Sequence, residues 1–286
     1  MSPVGTATEA AYWMLIEDPS PWGEQAVEDA DWYSDVQPTI ARWQEAMPAL
    51  RVQLIRRDVG RREHPGQIRC VAVRAGPQAV VRAWTLDTYR ELAGIDVPAA
   101  LDAGPATADS SLLLLTCVNG QRDACCAKWG RPVAEAAAEA RSEAAWRTSH
   151  LGGHRFAPTV IVLPHGTHYG WLRPDDMPDL MAAHREGRLF DLDRIRGHVH
   201  QRRPVQAACL TLRRQLPRHG LDDVWGTVVE TAGEEQWVVR VQTQDETYTA
   251  HVQQVQRDAA FPHSCGSDSP KSDVAWRVTW GEDVRD

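Results

Sequence analysis

Residues 112–154 of the 286-residue chain read LLLLTCVNGQRDACCAKWGRPVAEAAAEARSEAAWRTSHLGGH. The run Leu112–Thr116 is almost wholly apolar, which is typical of a strand buried on both faces of a sheet. Asp123 can cap the helix that follows, and Pro132, near the start of the Ala-rich stretch, is expected to kink that helix or to begin a new one. A second short strand is expected at Trp146–Ser149. This order of strand, helix and strand predicts a parallel β-α-β unit.

Four side chains of metal-binding type flank this unit. Cys117 ends the first strand, Cys126 lies in the first turn of the helix, and His150 and His154 follow the second strand. The helix, about 17 residues at about 1.5 Å each, carries the chain roughly 25 Å away. The strand at residues 144–149 brings it back by about 20 Å, at about 3.3 Å per residue. Both histidines are therefore expected at the same edge of the sheet as both cysteines.

Two glycines separate the histidines. A helix would place His150 and His154 on one face, but Gly152 and Gly153 would each cost it about 1 kcal/mol relative to alanine. Paired glycines instead let the backbone wrap closely around a bound group. The helix N-terminus near Cys126 favours a thiolate. Two thiolates and two imidazoles are also a ligand set of structural zinc, so these residues leave zinc and an iron–sulfur cluster open.

Four stretches of the chain resemble the sucrase/ferredoxin-like family, whose members contain a thioredoxin-like ferredoxin domain. Together they extend over about residues 5–217. The stretches are GTATEAAYWMLIEDPSPWG, CVNGQRDACCAKWGRP, SHLGGHRFAPTVIVLPHGTHYGWL and RPVQAACLTLR.

The family pattern is Cys-x8-Cys followed by His-x-Gly-Gly-His. Cys117, Cys126, His150 and His154 match it residue by residue, with Leu151 in the free position. The resemblance implies a [2Fe–2S] cluster held by these four side chains. The two histidines would bind one iron and the two cysteines the other, as in Rieske centres. The word "sucrase" in the family description does not imply sugar hydrolysis.

The whole chain is predicted to be an α/β protein in three parts. Residues 1–105 form an N-terminal α/β region in the order β-α-β-β-β, and residues 106–219 form the thioredoxin-like ferredoxin domain. Residues 220–286 form a small β-rich C-terminal appendage of four strands, with a loop at 261–273 between the last two. The stretch GPAT at 104–107 is interpreted as a linker. Further helices are expected at 38–49, 175–187 and 204–217.

Composition excludes several classes of function. With 31 basic and 39 acidic residues the chain carries a net charge of −8, which disfavours binding to nucleic-acid phosphates. No segment approaches the about 20 apolar residues that span a bilayer, and the N-terminus lacks a basic signal-peptide region. No membrane partner and a cytoplasmic location are therefore expected. Glycine-rich phosphate loops are absent from the sequence, so electrons are expected from a redox donor protein and pass to an acceptor protein.

The remaining cysteines have no obvious partner in the sequence. Six cysteines are too sparse for a disulfide scaffold and are more typical of ligands or free thiols in a reducing compartment. Cys125 is expected to be a packed neighbour of Cys126, and Cys70, Cys209 and Cys265 are scattered.

The predicted function is one-electron transfer, coupled to a proton, by an electron carrier rather than by an enzyme with its own substrate. No catalytic residue is assigned, because Ser149 beside His150 lacks the G-x-S-x-G elbow of a hydrolase. Two alternatives remain open. In one, the same ligands hold zinc in an interaction module. In the other, Cys125 or Cys126 serves a thiol–disulfide oxidoreductase.

Overall fold

The structure is a computed structural model that describes residues 2–57, 66–104, 112–262, 264–265 and 269–281. Residues 105–107 of the predicted linker lie outside this part. The helices are α1 (Tyr33–Ala46), α2 (Val97–Asp102), α3 (Ala124–Ala140), α4 (Met177–Arg185) and α5 (Arg203–Gln215). The strands are β1 (Tyr12–Glu17), β2 (Leu50–Arg56), β3 (Ile68–Arg74), β4 (Val80–Leu86), β5 (Leu113–Cys117), β6 (Ala145–Thr148), β7 (Thr159–Leu163), β8 (Thr167–Gly170), β9 (Ile195–His198), β10 (Trp225–Gly233), β11 (Gln236–Gln242), β12 (Thr247–Pro262) and β13 (Pro270–Trp280).

Within the described residues, nine strands form one mixed sheet in the order β4-β3-β1-β2-β6-β5-β7-β8-β9. Its two halves have the same plan. In the order β-α-β-β-β, the first two strands are parallel, the third is antiparallel to the first, and the fourth is antiparallel to the third. The halves meet where β2 and β6 pair antiparallel, with Ile55 opposite Thr148. The strands of the first two predicted regions thus share one sheet.

The C-terminal strands form a separate antiparallel sheet in the order β10-β11-β12-β13. Its apolar residues Val239, Val241 and Val252 share a core cluster with Val205 and Leu212 of α5, so this sheet packs on that helix. The α/β fold class and the β-rich C-terminal part are confirmed. No helix among the described residues is long and apolar enough to cross a membrane.

Three local predictions differ from the structure. Helix α1 begins at Tyr33 rather than at residue 38. Helix α3 is continuous through Pro132, because Val133 and Ala137 are fully buried and offset the roughly 3 kcal/mol that an interior proline costs. The predicted loop at 261–273 is shorter, since antiparallel pairing of β12 with β13 resumes beyond a register shift and ends at Pro262 opposite Pro270.

Side chains of β5 alternate between two core clusters. Leu114 faces the cluster beneath α3 and α5, whereas Leu113, Leu115 and Cys117 face a cluster that also contains Cys126. This alternation follows from the two-residue period of a strand. Both cysteines are therefore placed in the apolar interior, where a bound group is shielded from water.

Candidate metal centre

The β5–α3–β6 unit has the predicted parallel geometry, with Cys117 of β5 directly opposite Thr148 of β6. Because parallel strands end at the same edge, the residues after Thr148 lie beside Cys117. Gly130 brings α3 close to β5. A Cβ atom at this position would lie 2.0 Å from the backbone oxygen of Cys117.

Three of the four predicted ligands converge at this edge. Cys117, Cys126 and His150 each present a ligand atom, and these atoms lie within 4.8 Å of one another. The two cysteines are buried, and His150 Nδ1 lies 3.7 Å from Cys126 Sγ. Thiolates and imidazoles bind zinc and the iron of iron–sulfur clusters, so the group has the donor chemistry of a metal site.

The two buried thiols shift each other's pKa in opposite directions. A hydrogen bond from the Cys126 side chain, together with His150 and the backbone N–H of Leu151, holds the pKa of Cys117 well below its usual range. The resulting thiolate and burial in turn raise the pKa of Cys126. Cys117 is thus the more acidic thiol of the pair, and a bound cation would favour the thiolate form of both.

The fourth predicted ligand, His154, lies in an adjoining group with Asp123, Cys125 and Cys265, whose ligand atoms are also within 4.8 Å of one another. His154 Nε2 lies 3.0 Å from the backbone oxygen of Pro262. Since a carbonyl oxygen only accepts, Nε2 donates this hydrogen bond, and in the neutral ring Nδ1 would be the atom available to a metal. A backbone carbonyl orients many metal-binding histidines in this way.

Asp123 lies between the two groups and is buried. Its Oδ2 atom is 3.7 Å from His150 Nε2, and its Oδ1 atom is 3.9 Å from His154 Nδ1. Oδ1 also accepts a hydrogen bond of 2.8 Å from the backbone N–H of Cys265. Asp123 precedes α3 as predicted, but its side chain makes no capping hydrogen bond. Its carboxylate points to the histidines instead, a role that sequence reasoning missed.

Side chains distant in the sequence fix the loop that carries the histidines. Arg51 donates to the backbone oxygen of His150, and Arg196 Nη1 donates to that of Gly152 at 2.9 Å. Thr8 Oγ1 donates to the backbone oxygen of Leu151 at 2.7 Å. These residues had no distinguishing motif in the sequence, because only the fold brings them to the loop.

Arg196 is also an electrostatic partner of the cysteines. Burial lowers the pKa of Arg196 to about 9, while the charges of Cys117 and Cys126 act to raise it. The guanidinium therefore remains a buried cation at neutral pH. Its positive charge offsets the negative charge of thiolates at the site.

Ser149 has a structural role. Its Oγ atom accepts hydrogen bonds from Gln53 Nε2 at 2.5 Å and from the backbone N–H of Leu54 at 3.2 Å. These contacts join the loop to β2. They leave Ser149 buried.

Both glycines of the loop adopt the backbone conformation that favours glycine, as predicted. Gly152 has φ of 90° and Gly153 has φ of 76°. A Cβ atom on Gly153 would lie 2.4 Å from Arg196 Nη2, whereas one on Gly152 would approach nothing closer than Thr8 Oγ1 at 3.4 Å.

We therefore expect unequal effects from Gly152→Ala and Gly153→Ala. Each introduces a side chain at positive φ, which costs about 1–2 kcal/mol. Gly153→Ala also displaces the Arg196 guanidinium from its carbonyl partners, and should lower the free energy of unfolding by about 3 kcal/mol in all. Urea denaturation of the metal-free variants measures this difference. An equal decrease in the free energy of unfolding in the two variants would show that the contact with Arg196 does not contribute to stability.

The structure corrects the prediction for Cys125 and Cys265. Cys125 is not a packed bystander but forms a disulfide with Cys265, 140 residues away. Cys70 and Cys209 are buried free thiols, and burial raises the pKa of each to about 12. The pairing was missed because composition alone favoured unpaired thiols and nothing in the sequence linked residues so far apart.

A second concave feature lies at the opposite edge of the sheet. It is a cavity of about 710 Å³ whose lining includes His165, His198 and His200. Burial lowers the pKa of His200 to about 4, so this imidazole is neutral at pH 7. The three imidazoles do not belong to either of the metal-binding groups found among the described residues.

Comparison with known protein families identifies a match over most of the chain. The sequence model described as sucrase/ferredoxin-like matches residues 3–197, which contain all four predicted ligands. No curated protein and no solved structure matches the chain.

Proposed function

The chain belongs to the sucrase/ferredoxin-like family, and on this basis we propose that it is an electron-transfer protein with a [2Fe–2S] cluster held by Cys117, Cys126, His150 and His154. The observation that carries the proposal is the convergence of two buried thiols and one imidazole within 4.8 Å at one sheet edge. Such a donor set is uncommon without a metal to hold, because a buried thiolate is otherwise costly.

The residues present fit the proposed group. Cys117 and Cys126 would hold one iron, and His150 and His154 the other. Both imidazoles lie beside Asp123, His150 with the two cysteines and His154 on the other side of the carboxylate, so His154 would have to turn towards His150 to complete the four-ligand set. When bound, the cluster supplies one-electron chemistry at a potential set by its ligands and their surroundings.

The surrounding residues orient the ligands and balance their charge. The Pro262 carbonyl fixes the ring proton of His154 on Nε2, leaving Nδ1 as the ligand atom. Arg51 and Arg196 hold the loop through backbone carbonyls, and both guanidinium groups lie where the charge of Cys117 acts on them. The chain thus supplies a site whose loop is held by hydrogen bonds and whose negative charge is partly balanced by two guanidinium groups.

Exposure indicates the side through which electrons enter. The side chains of His150 and His154 are 22% and 12% exposed, whereas Cys117 and Cys126 are at most 1% exposed. Among the described residues the histidines are thus the more exposed side of the group, the side that a protein donor or acceptor would approach. We propose that both redox partners dock there.

Purification without oxygen, followed by visible and EPR spectroscopy and by iron and sulfide analysis, tests the proposal. We expect visible absorption, an EPR signal on one-electron reduction, and equal amounts of iron and inorganic sulfide. A colourless protein with stoichiometric zinc would contradict the proposal and support the zinc-binding alternative.

The redox potential should depend on pH. Two thiolates and two neutral imidazoles leave an oxidised [2Fe–2S] core formally neutral, so the potential should lie well above the about −400 mV of plant-type ferredoxins. Ferric iron withdraws more electron density from an imidazole than ferrous iron does, so the oxidised form loses ring protons at lower pH. The potential should be constant at low pH and then fall by about 59 mV per pH unit. Voltammetry between pH 5 and 10 measures this, and a constant value near that of plant-type ferredoxins would rule out histidine ligation.

A further inference from the structure

We propose that Cys125 and Cys265 form a redox-active disulfide that exchanges electrons with external dithiols, which adds a thiol–disulfide exchange site beside the metal centre. The site would accept a dithiol, either a small molecule or a protein with a reduced cysteine pair. This activity does not require bound iron.

The position of the disulfide makes it accessible. Cys265 is exposed in the connection between β12 and β13, and Cys125 is half-buried in the first turn of α3. Disulfides that stabilise a fold are usually buried, whereas exposed disulfides are the labile and catalytic ones. Cys70 and Cys209, by contrast, are buried and remain thiols.

The surroundings accommodate both redox states. In the reduced state, the Cys125 thiol can donate to the backbone oxygen of His154, which lies 3.5 Å from Cys125 Sγ. In the metal-free protein, His154 Nδ1 lies 3.5 Å from the Cys265 sulfur and can accept a hydrogen bond from its thiol. The backbone of Cys265 is held in place by Asp123, independently of the disulfide. Each sulfur therefore has a polar neighbour ready when the S–S bond is broken.

The exchange reaction balances with the dithiol as reductant. One thiolate of the dithiol attacks the exposed Cys265 Sγ, the S–S bond breaks, and Cys125 leaves as a thiolate at the N-terminus of α3. The 17-residue helix favours that negative charge. The second thiol of the reductant then attacks the mixed disulfide and releases Cys265. Two electrons pass to the cysteine pair, which takes up two protons, and the dithiol becomes a disulfide.

The disulfide also joins the C-terminal sheet to α3, beside the histidine loop. The end of β12 contacts His154 through the Pro262 carbonyl, and the connection after it contacts Asp123 through the Cys265 amide. Reduction of the disulfide removes the covalent part of this junction. Oxidation or reduction of the cysteine pair therefore takes place immediately beside His154.

Differential alkylation of the native protein tests the proposal. Aerobically purified full-length chain is treated with iodoacetamide, then with millimolar dithiothreitol without denaturant, and then with N-ethylmaleimide, and each cysteine is assigned by peptide mass spectrometry. We expect Cys125 and Cys265 to gain the second label and Cys209 to remain unlabelled. Oxidised glutathione, added after removal of dithiothreitol and before N-ethylmaleimide, should restore protection of the pair.

Matched variants complete the experiment. Cys265→Ser should leave Cys125 open to the first label, and Cys209→Ser should leave the exchange unchanged. First-label alkylation of both cysteines in the wild type would show that they are not paired. Resistance to dithiothreitol until urea unfolds the chain would show a purely structural cross-link. None of these readouts needs iron. Failure of the disulfide proposal is therefore distinct from failure of the proposed electron-transfer function, which metal content and spectra test.

Discussion

Replacing Cys117 or Cys126 with serine is expected to remove most of the bound iron and the visible absorption that it causes. A serine hydroxyl remains protonated at neutral pH and is a harder, weaker ligand than a thiolate. Both positions are buried, so water cannot easily take the place of the lost ligand. We expect iron occupancy to fall by about tenfold or more, measured by metal analysis after purification without oxygen.

Cys209→Ser is the matched control, because Cys209 is 1% exposed but belongs to neither metal-binding group of the described residues. It should retain full occupancy. Loss of iron in Cys125→Ser together with retention in Cys126→Ser would mean that the other member of the vicinal pair is the ligand. Such a result would move the site into the group that contains Cys265.

His150→Ala and His154→Ala extend the same experiment to the imidazoles. Both should lose the absorption spectrum of the wild type. Retention of iron in His154→Ala alone would show that the three-residue group of Cys117, Cys126 and His150 suffices without the fourth ligand. The two variants therefore distinguish the predicted four-ligand set from a smaller one.

The β5–α3–β6 unit could be predicted from the sequence because its signals are local. An apolar run, an Ala-rich helix and a short strand have lengths that fix which residues return to the same edge. The pairing of Cys117 with Thr148 follows from those lengths. The position of His154 beyond Asp123 does not, because it depends on contacts with Pro262 and Cys265 more than a hundred residues later.

The relation between the two halves of the sheet could not be predicted. The order β-α-β-β-β of the N-terminal region is correct, but its sequence does not visibly repeat that of residues 113–170. The halves join through the short pairing of Ile55 and Arg56 with Thr148 and Arg147. Such a long-range contact is set by the total of buried apolar surface rather than by any local pattern.

The supporting arginines were missed for a similar reason. Arg51 lies on β2 and Arg196 on β9, at opposite sides of the strand that precedes the histidine loop. In the sequence each is an ordinary basic residue within a strand. Only the sheet order shows that both reach the backbone of the same loop.

Gly130→Ala is expected to destabilise the protein even though alanine is the better helix former. Gly130 lies inside α3, where alanine alone would stabilise an open helix position by about 1 kcal/mol. The added methyl group would lie 2.0 Å from the backbone oxygen of Cys117, which cannot move without displacing β5. Overpacking of this kind costs about 1–3 kcal/mol, so we expect a net decrease in the free energy of unfolding, measured by urea denaturation of the metal-free protein.

Gly94→Ala provides the matched control, because a Cβ atom at Gly94 would meet nothing within 4 Å. Its free energy of unfolding should stay within about 0.5 kcal/mol of the wild type. Gly130→Ala should also lower iron occupancy, since moving α3 away from β5 separates Cys126 from Cys117. A Gly130→Ala variant as stable as the wild type would mean that the helix adjusts without strain. If such a variant also retained its iron, the close packing of α3 on β5 would not be what positions the two cysteines.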